Sequence, residues 1–202
     1  MSGKAGATRG RPRGFDRETA LAAAVLLFWE RGYETTSIGE LTEAMGIRPG
    51  SLYAAFGDKE TLFKEAVRAY GSTPAGTFIP AALTEEPTAR DAFSRILREA
   101  AANYCDPSHP PGCLIISAGA NVTAQDSAVA AFLREIRESN LATMRERLSQ
   151  AQRDGELPPD ADTDALAGYY GTVIQGMSQR SRDGATAAEL ARVAELALTV
   201  WP

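Results

Sequence analysis

The 202-residue sequence predicts an all-α fold of about nine helices, and three observations carry that reading. Apolar residues make up 44% of the chain and recur at spacings of three and four, the period of a helix with one buried face. Val, Ile and Thr never fall into the alternation that a half-buried strand needs. The periodic stretches are punctuated by glycines, prolines and capping residues, the start and stop signals of helices.

The elements follow in order. Residues 1–14 are rich in Gly, Arg, Lys and Pro and are expected to form a basic arm, disordered until bound. A helix from about Asp16 to Arg31 starts on an Asp N-cap and ends at Gly32, with Leu21, Ala24, Val25 and Phe28 on one face. Ser37 and Glu40 make a capping box for a short helix that carries Ile38, Leu41 and Met45 and stops at Gly46. Pro49 opens a third helix that runs to about Phe56, and Asp58 caps a fourth through Tyr70. Gly71-Ser-Thr-Pro-Ala-Gly reads as a linker, so the chain divides into an arm at 1–14, a unit at 15–70 and a second unit at 71–202. In the second unit a stripe of Phe93, Ile96, Leu97, Ala100 and Tyr104 is broken by Asp106-Pro-Ser-His-Pro-Pro-Gly. Helices at about 113–121, 127–153, 162–182 and 187–201 complete the set.

The net charge of −5 conceals an asymmetry: residues 1–17 sum to +4 and residues 71–202 to −6. A basic arm on an acidic body is expected where one end meets a polyanion. Two cysteines imply no disulfide framework. The polar start carries no signal-peptide pattern, and the longest apolar run, Ala20 to Trp29, is half of the roughly 20 residues a membrane span needs. The expected compartment is the cytoplasm, with no membrane partner. A single histidine and the absence of Gly-x-Ser-x-Gly, His-Glu-x-x-His and a phosphate loop argue against an enzyme. No cofactor is expected.

Helix, glycine turn, short helix, glycine turn, short helix is the layout of a helix-turn-helix that reads DNA. Leu52 and Phe56, four apart, can pack down, while Ser51, Ala54 and Ala55 point away. Gly32-Tyr-x-Thr-Thr-Ser-Ile, followed by Gly46-Ile-x-x-Gly-Ser-Leu-Tyr-x-x-Phe-x-x-Lys-Glu-x-Leu-Phe, resembles the DNA-binding domain of TetR/AcrR-type transcriptional regulators over about residues 15–70. The resemblance implies a helix-turn-helix at Ser37–Phe56 and a second helical domain that dimerises and binds a small effector. It implies phosphate contacts by Thr36 and Ser37, groove contacts by Arg48, Gly50, Ser51 and Ala54, and a grip on the backbone by Tyr53 and Lys59. This chain departs from the family where Arg48 replaces the usual Ser or Thr ahead of the reading helix, and where Ala54-Ala55 replaces polar or aromatic residues. Direct readout then leans on Arg48 and Ser51. Arg9-Gly-Arg-Pro-Arg13, with Arg11 at its centre, resembles an AT-hook core that enters a narrow minor groove.

For the second unit the resemblance implies a homodimer through the last two helices, with Tyr169, Val173, Leu190, Val193, Ala197 and Trp201 as interface candidates. Candidates for the effector pocket are Tyr104, Cys113, Asn121, Met144, Tyr170, Gln175 and Met177, a mix of apolar walls and a few polar groups. Cys105-x-x-x-His109-x-x-x-Cys113 has a metal-like spacing, but Pro107, Pro110 and Pro111 break the helix that would align the three, so no metal is expected. A thiol switch is the alternative role for Cys105 and Cys113, because a helix N-terminus at Cys113 would lower its pKa. The implied function is a dimeric repressor released from a palindromic double-stranded operator by a small molecule. The alternatives are an architectural DNA protein without sequence choice and a redox-sensing regulator.

Overall fold

A computed structural model describes residues 15–119 and 127–202, and its regular elements are all helical. Among the described residues ten α-helices occur in order: α1 (Arg17–Arg31), α2 (Ile38–Ala44), α3 (Pro49–Phe56), α4 (Lys59–Tyr70), α5 (Pro74–Glu85), α6 (Ala89–Asn103), α7 (Leu114–Ser117), α8 (Ser127–Arg153), α9 (Thr163–Arg182) and α10 (Ala187–Ala197). A 3-10 turn, Leu198–Val200, follows α10. The arm lies outside the described residues, as does Asn121.

The capping chemistry sets the head. Asp16 accepts from the Glu18 and Thr19 amides at the start of α1, and Gly32 ends that helix at φ 84°. Ser37 and Glu40 form the reciprocal box on α2. Gly46, at φ 65°, makes the turn into α3, and Pro49 opens α3 without a side-chain cap from Arg48. Asp58 accepts from the Thr61 amide at 2.7 Å to start α4.

The helix added to the expected set is α5. Its Thr-Pro-Ala-Gly start read as part of a linker, yet only Gly71–Thr73 separate α4 from α5. Pro74 fits the first helical position, where no amide partner is lost. Gly76 is there for close approach: a Cβ on it would sit 2.3 Å from the Tyr70 carbonyl oxygen. Residue types that normally interrupt a helix here let one fold tightly back on its predecessor.

Two buried clusters organise the molecule. One gathers Phe28, Trp29, Tyr33, Leu41, Leu52, Phe56, Leu62, Phe63 and Tyr70 of the head, and it continues into Leu114, Ile115, Val129 and Leu133 of α7 and α8. The other fills the body with Phe78, Phe93, Ile96, Leu97, Tyr104, Met144, Leu148, Tyr170 and Met177. Cys113 packs against both. Arg17 staples α1 to α4 with two bonds to Glu65, at 2.5 and 2.8 Å, and its guanidinium lies 4.4 Å from the centre of the Phe56 ring.

The Asp58 cap makes a test of this construction. Bonds from Thr61 hold its carboxyl below the usual carboxylate range. Such a group stabilises the fold above the unfolded-state pKa, and that contribution fades as pH falls through the folded value. Asp58→Ala should lower urea-unfolding stability at pH 7 by about 1 kcal/mol. The gap between variant and parent should narrow as the pH drops below the ordinary carboxylate pKa; a gap that widens on acidification would refute the assignment.

Candidate nucleic-acid interface and ligand cavity

α1 and α4 form the base on which the two short helices sit. Phe28 meets Phe63 edge-on at 5.0 Å, and Trp29 meets Tyr70 edge-on at 4.8 Å. Leu52 and Phe56 bury one face of α3 against this base, so the opposite face is left to solvent. Arg48, Gly50, Tyr53 and Ala54 are exposed there, with Ser51 half-buried among them. Tyr53 is 51% exposed, unusual for so large a ring with an intrachain core close by. Among the described residues, a Cβ on Gly50 would meet no atom beyond its own helix turn within 4 Å. No contact within the chain therefore requires glycine at that position, in contrast to Gly76.

Two sequence candidates behave differently. Thr36 is fully buried, its hydroxyl donating to the Gly32 carbonyl at 2.7 Å, so it locks the α1–α2 turn and its side chain does not face a phosphate. Ser37 is exposed, but its hydroxyl donates to Glu40 at 2.7 Å while accepting from the Glu40 amide. A hydroxyl so engaged has no proton left to donate to phosphate unless the box opens. Lys59 lies with Nζ 4.3 Å from the centre of the Tyr33 ring and 3.5 Å from the Glu34 carbonyl oxygen, against the segment between α1 and α2.

Four of the body's effector candidates are core. Tyr104, Met144, Tyr170 and Met177 are all buried in the second cluster, and Gln175 is exposed on α9. The Tyr170 hydroxyl is buried without a hydrogen-bond partner among the described residues, and burial pushes its pKa up to about 12. A cavity of about 630 Å³ lies elsewhere, between α1, the α4–α5 corner and the loop after α6. Leu21, Val25, Leu26, Trp29, Tyr70 and Pro74 supply apolar wall, and Glu18, Asn103, Asp106 and His109 supply polar groups. Tyr104, Cys113, Met144, Tyr170, Gln175 and Met177 are not among its lining residues. Its walls come from three separated segments, so no single stretch signals it.

Arg182, in the last turn of α9, ties body to head. Its guanidinium donates to the Glu30 carbonyl at 2.9 Å, to the Trp29 carbonyl at 3.2 Å and to the Pro111 carbonyl at 3.4 Å. Those α1 carbonyls belong to the unpaired set at a helix C-terminus, which favours a cation. Tyr70 adds a second tie, its single hydroxyl proton shared between the Ala75 carbonyl at 3.1 Å and Cys113 Sγ at 3.4 Å.

Cys105, His109 and Cys113 do not converge. The Cys105 thiol donates to the Ala185 carbonyl, Cys113 faces Tyr70, and the His109 ring stacks on Trp29 at 4.3 Å. Among the described residues no cluster of three His, Cys, Asp or Glu could hold a metal. Cys113 does stand at the N-cap of α7, but α7 has four residues, and burial outweighs its backbone bonds and pushes the thiol up. Burial also raises Cys105. The direction at Cys113 is thus opposite to the lowering expected from a helix N-terminus.

On the outer face of α9 and α10 the interface candidates divide. Leu190 and Ala197 are buried in the chain's own core, and Trp201 packs on Phe93 and Tyr170. Tyr169 and Val193 are exposed, joined by Leu196 at 70% and Val200 at 49%, which the sequence reading missed. The signal was available: the α10 stripe was phased on Leu190 and Trp201, and Leu196 falls on the other side of the helix.

A buried-based two-helix reader carried on an α-helical body defines a helix-turn-helix regulator. The model for the tetR family of bacterial regulatory proteins matches residues 20–66, and that for the tetracyclin repressor-like C-terminal domain matches residues 79–196. The chain belongs to the TetR family. It is 34% identical to the HTH-type transcriptional repressor ComR of Escherichia coli strain K12, over 96% of this chain and 93% of ComR. It is 30% identical to the repressor BdcR of the same strain, over 93% and 90%. A solved structure of a cysteine mutant of the TetR family regulator CifR, complexed with 26-bp operator DNA, superposes with a TM-score of 0.91 at 42% identity, covering 96% of this chain and all of that one.

Because burial keeps Cys113 protonated, it should react slowly with iodoacetamide in the folded protein at neutral pH. Peptide mass spectrometry should find it labelled at least about tenfold faster in urea than in buffer, since the thiolate is the reacting form. Equal rates would show an activated thiol.

Proposed function

We propose that the chain is a cytoplasmic, non-enzymatic transcriptional repressor that binds a palindromic operator as a homodimer and is released by a small molecule. The observation that carries the DNA reading is the exposed face of α3, where Arg48, Gly50, Ser51, Tyr53 and Ala54 are left uncovered by a helix whose other face is fully packed. Arg48 can pair with a guanine edge, Ala54 can touch a thymine methyl, and Tyr53 can reach phosphate. Gly50 is explained if the DNA backbone comes too close for a Cβ. Lys59 joins them from the start of α4, and the Arg9–Arg13 arm would add contacts in the adjacent minor groove.

Release follows from the two ties between body and head. A ligand acts only if it binds the DNA-incompetent arrangement better. Arg182 and Tyr70 are the routes by which a shift of α9 or of the loop after α6 would reach the ends of α1 and α4. Because α9 also carries part of the proposed dimer face, the same helix would set the separation of two heads, which must match half-sites about 34–36 Å apart.

Selection from random DNA tests the reading: a palindrome with suitably spaced half-sites is expected, and equal affinity for random DNA would favour an architectural role. Arg48→Ala should weaken the selected operator by about 1–3 kcal/mol and relax one position of it. Gly50→Ala should leave thermal stability unchanged or raised by up to about 1 kcal/mol while weakening operator binding. Preserved operator affinity in Gly50→Ala would remove the close-approach argument.

The dimer face has its own test. Leu196→Arg, at a position 70% exposed in one chain, should fold normally and sediment as a monomer if α9 and α10 pair with a second copy. An unchanged dimer would move the interface elsewhere.

A further inference from the structure

Burial holds α3 along one line only. Its buried residues are Leu52 and Phe56, which stand four apart on the same side of the helix. Two anchors so aligned fix where the helix lies, and they resist its rolling about that line only weakly. At the start of α3, Arg48 makes no side-chain cap bond that would add a third point. Reading bases depends on that roll, because a binding constellation must be held within roughly 10–20° of its productive angle.

We propose that Arg17, acting through Glu65, is a positioning residue for operator discrimination: it sets the roll of α3, and with it the bases that Arg48 and Ser51 address. The proposal rests on the operator-reading role given above and adds to it a residue that acts without touching DNA.

Neither partner belongs to α3. Arg17 opens α1, and Glu65 lies midway along α4. The two ends of the guanidinium donate to the two Glu65 oxygens at 2.5 and 2.8 Å, a paired bond that fixes the guanidinium plane as well as its place. Held there, the guanidinium covers the Phe56 ring at 4.4 Å from its centre and donates to the Ala55 carbonyl at 3.3 Å. Ala55 is about 100° around the helix from Phe56, so this bond engages α3 off the line of its buried anchors. Its carbonyl is one of the last four of α3, the end of a helix that favours a cation.

Exposure separates this role from a purely structural one. The Arg17 side chain is 48% exposed and that of Glu65 29%. Pairs so open to water contribute little to stability, because hydration competes with them. Loss of the pair should therefore spare folding and tell on the angle of α3. A direct phosphate contact is the competing role for Arg17. For that role Glu65 is a hindrance, since it engages both ends of the guanidinium and adds a negative charge beside the DNA. The two roles predict opposite consequences of removing Glu65.

Fluorescence polarisation with the full chain, on the selected operator and on a random duplex of equal length over a series of salt concentrations, tests this. Arg17→Ala and Glu65→Ala should each lower the ratio of operator to random-duplex affinity about tenfold. The double variant should also lose about tenfold, and not a hundredfold, because either change undoes the same clamp. Arg17→Lys keeps the charge but cannot form the paired bond, so it should not restore the ratio. Melting temperatures should stay within a few degrees of the parent's, and the salt slope on random duplex should hold. A parental ratio in Glu65→Ala or in Arg17→Lys would overturn the proposal. Equal loss on both duplexes in Arg17→Ala, with the slope reduced by about one, would overturn it in favour of a phosphate contact. A ratio that falls in step with melting temperature across the variants would overturn it in favour of a structural pair. A parent without operator preference would instead overturn the operator reading itself.

Discussion

The packing of α1 on α4 is the constraint on which the rest depends. α2 and α3 have seven and eight residues, and helices so short are unstable alone in water. They persist because Leu41, Leu52 and Phe56 insert into a floor made by Phe28, Phe63 and their neighbours. Arg17 strengthens that floor from its edge through Glu65, the Phe56 ring and the Ala55 carbonyl. A loosened α1–α4 contact would lose the orientation of α3 before it lost α3 itself. The exposed face of α3 can therefore be built of small residues, because its position is fixed from behind, by burial.

The same two helices end at the body. Trp29 is the point where the structural requirements meet, because its ring packs on Tyr70 and His109, its carbonyl accepts from Arg182, and its edge forms cavity wall. The head's core runs on without a gap into α7 and α8, so head and body share apolar contacts as well as hydrogen bonds. Such an arrangement transmits small displacements, since packed cores repack rather than deform continuously. Gly76 shows how tightly the corner is drawn: any side chain there would collide with the Tyr70 carbonyl and push α5 away from α4.

Much of the fold was legible because it is locally encoded. Asp16, Ser37 with Glu40, and Asp58 announce helix starts by bonds that span two or three residues. Leu52 and Phe56 announce a buried face by their spacing. What could not be read locally depends on contacts between distant segments. Thr36 sits beside Ser37 and shares its chemistry, yet only the α1–α2 turn decides that one is buried and the other exposed. α5 was hidden because glycine and proline have one meaning in open chain and another where a neighbouring backbone presses close. The α10 stripe was real, but a helix with apolar residues on two sides has two candidate inner faces, and the neighbours choose between them: Leu190 and Ala197 went inward, leaving Val193, Leu196 and Val200 outside.

The cavity's place follows from the same competition for volume. Tyr104, Met144, Tyr170 and Met177 were attractive as ligand contacts because they are large and adaptable, and those are also the properties that fill a core. Phe93, Tyr170 and Trp201 stack within 4.8 to 6.0 Å of one another, which leaves the body interior occupied. Space remains where three elements meet at angles that side chains cannot close: at the side of α1, under the α4–α5 corner, beside a loop whose prolines hold it away from helical geometry. A site at such a corner is bounded by both halves of the molecule.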